Sequence, residues 1–127
     1  MTVVGIGGLL LRSSDPDARA GWYRDLLGIP VGAEGSDAVW VQDAGPTVFA
    51  PVSSGLADFA ADQPFLLNLR VTDLDAIVRR LEAAGVAVER REEWDTAYGR
   101  FVRLRDPEGL PLELWELPSD PPPQDEA

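Results

Sequence analysis

Arg70-Val71-Thr72-Asp73-Leu74-Asp75-Ala76 repeats, 58 residues on, the pattern Arg12-Ser13-Ser14-Asp15-Pro16-Asp17-Ala18. In both copies an apolar run ends in or beside an Arg, a short hydroxyl or Asp residue follows, and Pro or Leu opens the next segment. This is the sequence form of a strand running into an N-capped helix. Ser14 or Asp15 serves as cap before Pro16, and Thr72 or Asp73 before Leu74. The helices run out at Leu27-Gly28 and Ala84-Gly85, where glycine suits a left-handed terminating residue. The second helix places Leu74, Ile77, Val78 and Leu81 on one face at helical spacing, and the first places Ala18, Trp22 and Leu26 there, with Tyr23 alongside.

Working outward, strands are expected over 4–12 and 65–71, ahead of the helices. Three short strands follow each helix: 29–32, 38–42 and 47–51 in the first half, and 86–91, 98–105 and 110–116 in the second. Asp43-Ala44-Gly45 corresponds to the turn Asp106-Pro107-Glu108-Gly109 with one residue missing. The expected class is α+β: two tandem βαβββ modules, about 1–58 and 59–117, forming a cupped mixed sheet with helices on its outer face. Neither half alone would bury a good core, so they make one domain. The Pro-rich, acidic segment 118–127 is expected to be disordered.

Strand alternation sorts the side chains. Val102, Leu104, Leu112 and Leu114 face the helices. Phe101, Arg103, Arg105, Pro111, Glu113 and Trp115 face the other way, as does Trp40 against Val39 and Val41. A sheet covered on one side, with a mixed polar and aromatic opposite face, suggests a cupped surface open to a ligand.

The 127-residue chain is 45% hydrophobic, which suits one domain with a real core. No apolar run approaches the ~18 residues that span a membrane. The apolar stretch 3–11 has no basic flank or small-residue cleavage pattern, so a cytoplasmic protein is expected. There is no Cys and no His, which excludes thiolate metal sites, cysteine nucleophiles and the commonest general base. Every basic residue is Arg, so no side-chain amine is present for Schiff-base chemistry. The net charge of −11 repels phosphate backbones, so nucleic acid is not an expected partner.

Ser14-Asp15-Pro16-Asp17 with Trp22-Tyr23-Arg24-Asp25-Leu26-Leu27-Gly28 resembles the glyoxalase / bleomycin-resistance / extradiol-dioxygenase (vicinal oxygen chelate) superfamily. So do Arg70 to Ala76, Ala83-Ala84-Gly85-Val86, Gly99-Arg100-Phe101 and Arg105 to Trp115. The resemblance runs from Gly5 to Leu117. It implies the tandem-module fold, a homodimer, and in many members a divalent metal held by His, Gln or Glu from the first and last strand of each half. Carried over, those positions fall on Gly8, Phe49, Leu66 and Glu113. Only Glu113 has a ligating side chain, and one carboxylate does not build a site needing three or four ligands. No metal or other cofactor is therefore expected.

The candidate ligand-binding residues are Trp40, Phe49, Asn68, Arg70, Phe101, Arg103, Glu113 and Trp115. The four aromatic ones either wall a slot for a planar or aromatic ligand or are dimer-interface or core residues. Asn68 is placed to orient a ligand. Glu113 either meets a ligand, or acts as a base, or is held by Arg103. Arg12 and Arg70 either fork around an anion or pair with neighbouring Asp residues. Trp94, Asp95 and Tyr98 fall in a loop before a strand, as a lid or a rim. The expected function is binding or sequestering a small molecule without a metal. The alternatives are a lyase, isomerase or dioxygenase-like enzyme using Glu113, and a regulatory or interaction domain.

Overall fold

Two helices, one three-stranded sheet and a single 3₁₀ turn make up the regular structure of the computed structural model, which describes residues 1–31, 39–56, 59, 60 and 62–119. Helix α1 spans Pro16–Leu27 and α2 spans Leu74–Ala83. Both are capped as their repeat requires. Asp15 accepts from the Ala18 amide at 3.2 Å and Asp73 from the Ala76 amide at 3.2 Å, satisfying donors the first turn leaves open. Gly28 and Gly85 end them at φ of 71° and 84°, a region costly for any side chain with a Cβ.

Strands β1 (Leu67–Val71), β2 (Arg100–Arg105) and β3 (Pro111–Glu116) lie in the order β1-β3-β2. β1 runs parallel to β3, and β2 forms an antiparallel hairpin with β3. The connection from β1 back into the sheet carries α2, as a parallel pairing demands. The alternation holds. Val102, Leu104, Leu112 and Leu114 are buried with Leu74, Val78 and Leu81 of α2 and Tyr23 of α1 in one cluster. Each such aliphatic side chain contributes about 1.5–3 kcal/mol through removal from water.

The first half differs from expectation. Among the described residues no strand forms over 4–12, 29–31, 39–42 or 47–51; residues 32 and 38, and 120–127 of the expected disordered segment, lie outside the described set. A strand persists only where a partner takes its backbone donors and acceptors, and Gly5, Gly7 and Gly8 raise the entropy lost on ordering the first segment. Packing does not compensate, since Val4 and Leu10 are 98% and 94% exposed. At 29–31 the Val31 amide turns back to the Ile29 carbonyl at 2.7 Å, which precludes a ladder. In the second half, the strand expected over 86–91 shrinks to one bridge between Glu89 and Arg103.

What ties the first half to the second is a buried polar clasp. Asp106, in the β2–β3 turn, accepts at Oδ2 from Arg19 Nε (2.8 Å), Arg19 Nη2 (2.6 Å) and the Tyr23 hydroxyl (2.7 Å). Its Oδ1 accepts from the amides of Glu108 (2.8 Å) and Leu110 (3.0 Å). Glu108 accepts in turn from the Ser13 hydroxyl and from the Ser14 amide at 2.9 Å. Burial pushes the Asp106 carboxyl up, but the bonds from Tyr23, Arg19 and the two amides outweigh it and hold the group below its ordinary value. Burial first, then the bond to Asp106, raises the Tyr23 phenol above its ordinary range.

Candidate functional site

The sheet face turned away from the helices is organised in two rows by strand register. Asn68, Glu113 and Arg103 stand side by side across β1, β3 and β2, and Arg70, Trp115 and Phe101 do the same two positions along. Six of the eight residues expected to line a ligand are thus brought to one face. Trp40 and Phe49 are not: they lie outside any strand, 43% and 86% exposed. The parity argument that put them on the face required strands, and none forms there.

In the first row, Asn68 Nδ2 donates to Glu113 Oε1 at 2.8 Å and Arg103 Nε donates to Glu113 Oε2 at 3.0 Å. Both carboxylate oxygens are therefore engaged within the sheet, and Glu113 is held by Arg103 as one sequence alternative expected. The Arg103 guanidinium also lies over the Trp94 ring, 4.9 Å from its centroid, with Arg91 at 5.3 Å, within the range of cation–π attraction. The 3₁₀ turn Glu92–Trp94 thus places an indole at the edge of the row, as the rim reading of Trp94 expected.

In the second row, Phe101 and Trp115 stack nearly parallel, with centroids 5.8 Å apart and planes 8° from each other. Trp115 Nε1 donates to the Tyr98 carbonyl at 2.8 Å, which fixes the indole. Gly99 makes that approach feasible: its φ is 135°, and a Cβ there would collide with the Glu116 carbonyl oxygen and the Trp115 ring. Arg70 Nη2 donates to the Asp43 main-chain carbonyl at 3.0 Å, so its partner is backbone and not an Asp carboxylate. Gly45 passes so close that a Cβ would strike the Arg70 guanidinium.

Of the four positions carried over for a metal, Glu113 is in β3 and Leu66 directly precedes β1, while Gly8 and Phe49 sit in segments outside the sheet. No group of three or more acidic residues among the described ones is arranged to hold a metal ion. Beside the face, a cleft of about 180 Å³ runs between Phe101 and the arginines Arg90, Arg91 and Arg100. Arg100 is committed there to Asp75 at 2.7 Å and Glu116 at 3.3 Å. Its hydrogen bond is the main reason the Asp75 carboxyl lies below its usual value.

Arg19, Tyr23 and Asp106 were not legible as a unit. An Arg on a helix is usually solvated, and the only signal was the Asp at the head of a Pro-Glu-Gly turn.

A small α+β fold with an open mixed sheet, one face packed on helices and the other carrying polar and aromatic side chains, is the architecture of a glyoxalase-like domain. A family model of that description, the Glyoxalase-like domain, matches residues 8–115, and the chain belongs to this family, within the glyoxalase/bleomycin-resistance superfamily. Among solved structures it is similar to TnmS3, an antibiotic binding protein from Streptomyces sp. CB03234, with 21% identity, a TM-score of 0.57, and 93% of this chain and 99% of that one covered. It is equally similar to lactoylglutathione lyase from Agrobacterium tumefaciens, with 21% identity, a TM-score of 0.57, and coverage of 91% and 96%. No curated protein matches the chain. Likenesses at this identity speak for the fold.

Proposed function

We propose that this protein binds or sequesters a small molecule, planar or aromatic and carrying an acceptor group, on the Asn68–Glu113–Arg103 face, without a metal. One observation carries the reading. Glu113 is the only ligating side chain at the four positions that the resemblance implies for a metal, and its two oxygens already accept from Asn68 and Arg103. A carboxylate so engaged is a poor start for a site needing three or four donors. Phe101, half-buried and backed by the buried Trp115 ring on which it stacks, supplies a flat apolar surface next to it, and Arg103 and Arg70 lie at its edge. The similar antibiotic binding protein is a precedent for binding on this fold.

The same reading keeps two tandem halves, suggested by Asp-capped helices 58 residues apart, a location in the cytoplasm, and a homodimer. Val3, Val4, Leu10, Val41 and Phe49 are exposed apolar residues of the first half, which a second copy would cover in such a dimer. No helix among the described residues is long and apolar enough to cross a membrane.

The test is a panel of planar aromatic acids and antibiotics followed by tryptophan fluorescence and melting temperature, with metal analysis of the purified protein. A hit that quenches fluorescence should bind at least about tenfold more weakly to Phe101→Ala and Arg103→Gln. Stoichiometric Mn, Fe, Ni or Zn that disappears in Glu113→Ala would overturn the reading.

A further inference from the structure

At the hairpin end of the sheet, beyond the Asn68–Glu113–Arg103 row, lies a second cleft of about 330 Å³. Three arginines line it, Arg12, Arg19 and Arg105, in a chain whose net charge is −11. Their commitments differ. Arg19 is spent on Asp106 at 2.6 Å. Arg105 donates from Nη1 to the Gly109 carbonyl at 2.9 Å, a neutral acceptor, and among the described residues it has no carboxylate within 4.0 Å. Arg12 has no carboxylate within 4.0 Å among the described residues; only its main-chain carbonyl is used, accepting from Arg19 at 2.7 Å.

Two acids share the lining, Glu108 and Asp62. Glu108 is occupied by Ser13 and Ser14, whose hydrogen bonds hold its carboxyl below the ordinary value. Asp62 is exposed and makes no ion pair with a described residue. The rest of the wall is largely apolar, from Phe65, Leu110 and Pro111, and Phe65 is 38% exposed. The cleft thus combines donors with spare capacity and an apolar strip, in a volume larger than a simple ion fills.

We propose that this cleft is a binding site for a small organic anion. A carboxylate or phosphate monoester would meet Arg12 and Arg105, with its apolar body against Phe65, Leu110 and Pro111. Guanidinium forks suit both anion types because two parallel N–H donors match two oxygens. Asp62 opposes the anion, so its removal strengthens binding.

The experiment titrates the full chain with phenyl phosphate, benzoate, inorganic phosphate and phenol at constant ionic strength, read by backbone amide chemical shifts. Phenyl phosphate, benzoate or both should move the amides of Arg12, Ser13, Phe65 and Leu110 in a saturable way, and which of them binds more tightly assigns the anion. Inorganic phosphate should bind more weakly and phenol not at all. Arg12→Gln, which keeps the carbonyl that holds Arg19, should weaken binding about tenfold, the loss of one charge-assisted contact. Asp62→Asn should strengthen it, and Phe101→Ala should leave it unchanged. The proposal is overturned if no aromatic anion saturates, if the shifts appear at Arg103 and Glu113 instead, or if Arg12→Gln binds as the unmodified protein does. The sheet-face reading fails separately, through the metal and quenching results.

Discussion

Asp106→Asn keeps the shape of the side chain and removes the charge that joins α1 to the β2–β3 turn. In the folded protein the Asp106 carboxylate is fully shielded, and the Arg19 side chain is only 8% exposed. The five hydrogen bonds to its two oxygens all come from donors. An amide cannot replace it, because its NH₂ would face either the guanidinium and phenol or two backbone amides, donor against donor in both orientations. The guanidinium would then be buried without a counter-charge. Breaking one side of a buried pair costs about 3–5 kcal/mol, a fifth or more of the roughly 5–15 kcal/mol that holds a domain folded. With a urea slope of about 2 kcal/mol per molar, the unfolding midpoint should fall by roughly 1.5–2.5 M at fixed protein concentration.

The pH dependence provides a second readout. The folded Asp106 and Glu108 carboxyls lie below their unfolded values of 3.8 and 4.5. Their contribution is therefore complete above the unfolded value and is lost as pH falls through the depressed folded one. The midpoint of the unmodified protein should drop steeply between about pH 5 and pH 3, and that of Asp106→Asn should drop less, since one of the titrating groups is gone. A destabilisation below ~1 kcal/mol, with an unchanged acid profile, would refute the reasoning: the pair would then behave as a solvated surface contact.

Tyr23→Phe removes one hydrogen bond to the same carboxylate and should cost about 1.5 kcal/mol in urea unfolding. Combined with Asp106→Asn it should add less than that amount, because the two share one network. Gly99→Ala forces a Cβ toward the Glu116 carbonyl oxygen at a φ of 135°. It should cost roughly 2–4 kcal/mol and shift Trp115 emission as the bond to Tyr98 is lost; an unshifted spectrum would count against that bond.

How legible the fold was from the chain depended on how local the signals are. The helix ends were legible because caps are decided by a few adjacent residues: Asp15, Asp73, Gly28 and Gly85 all do what their types suggest. The second-half sheet face was legible because alternation becomes informative once one side is buried, and Leu112 and Leu114 made that side plain. From there Asn68, Glu113 and Arg103 could be placed in a row without knowing any contact. The first half had alternation at Trp40 without pairing. Alternation says which way a side chain would point in a strand, and it cannot supply the neighbouring backbone that makes the strand. Arg19 was missed for the opposite reason. Its partner is 87 residues away, and nothing local to α1 distinguishes a buried Arg from a solvated one.

The β2–β3 turn therefore has a larger part than its four residues suggest. Asp106 and Glu108 reach across to Arg19, Tyr23, Ser13 and Ser14, so the hairpin that carries Phe101, Arg103, Glu113 and Trp115 also anchors the first helix. Among the described first-half residues, no strand adds ladder bonds to this attachment. The clasp, the burial of Tyr23, the packing of Trp22, Leu26 and Leu27 on the core, and the bond from Arg80 of α2 to the Leu26 carbonyl at 3.1 Å hold α1 in place. Loosening the clasp should free α1 before it disturbs the Asn68–Glu113–Arg103 row, where Asn68 and Arg103 both donate to Glu113 within the second half. Hydrogen exchange on Asp106→Asn should then show α1 amides losing protection while those of β3 keep theirs. Equal loss in both would mean that the two halves unfold as one unit and that the clasp is only one contact among many.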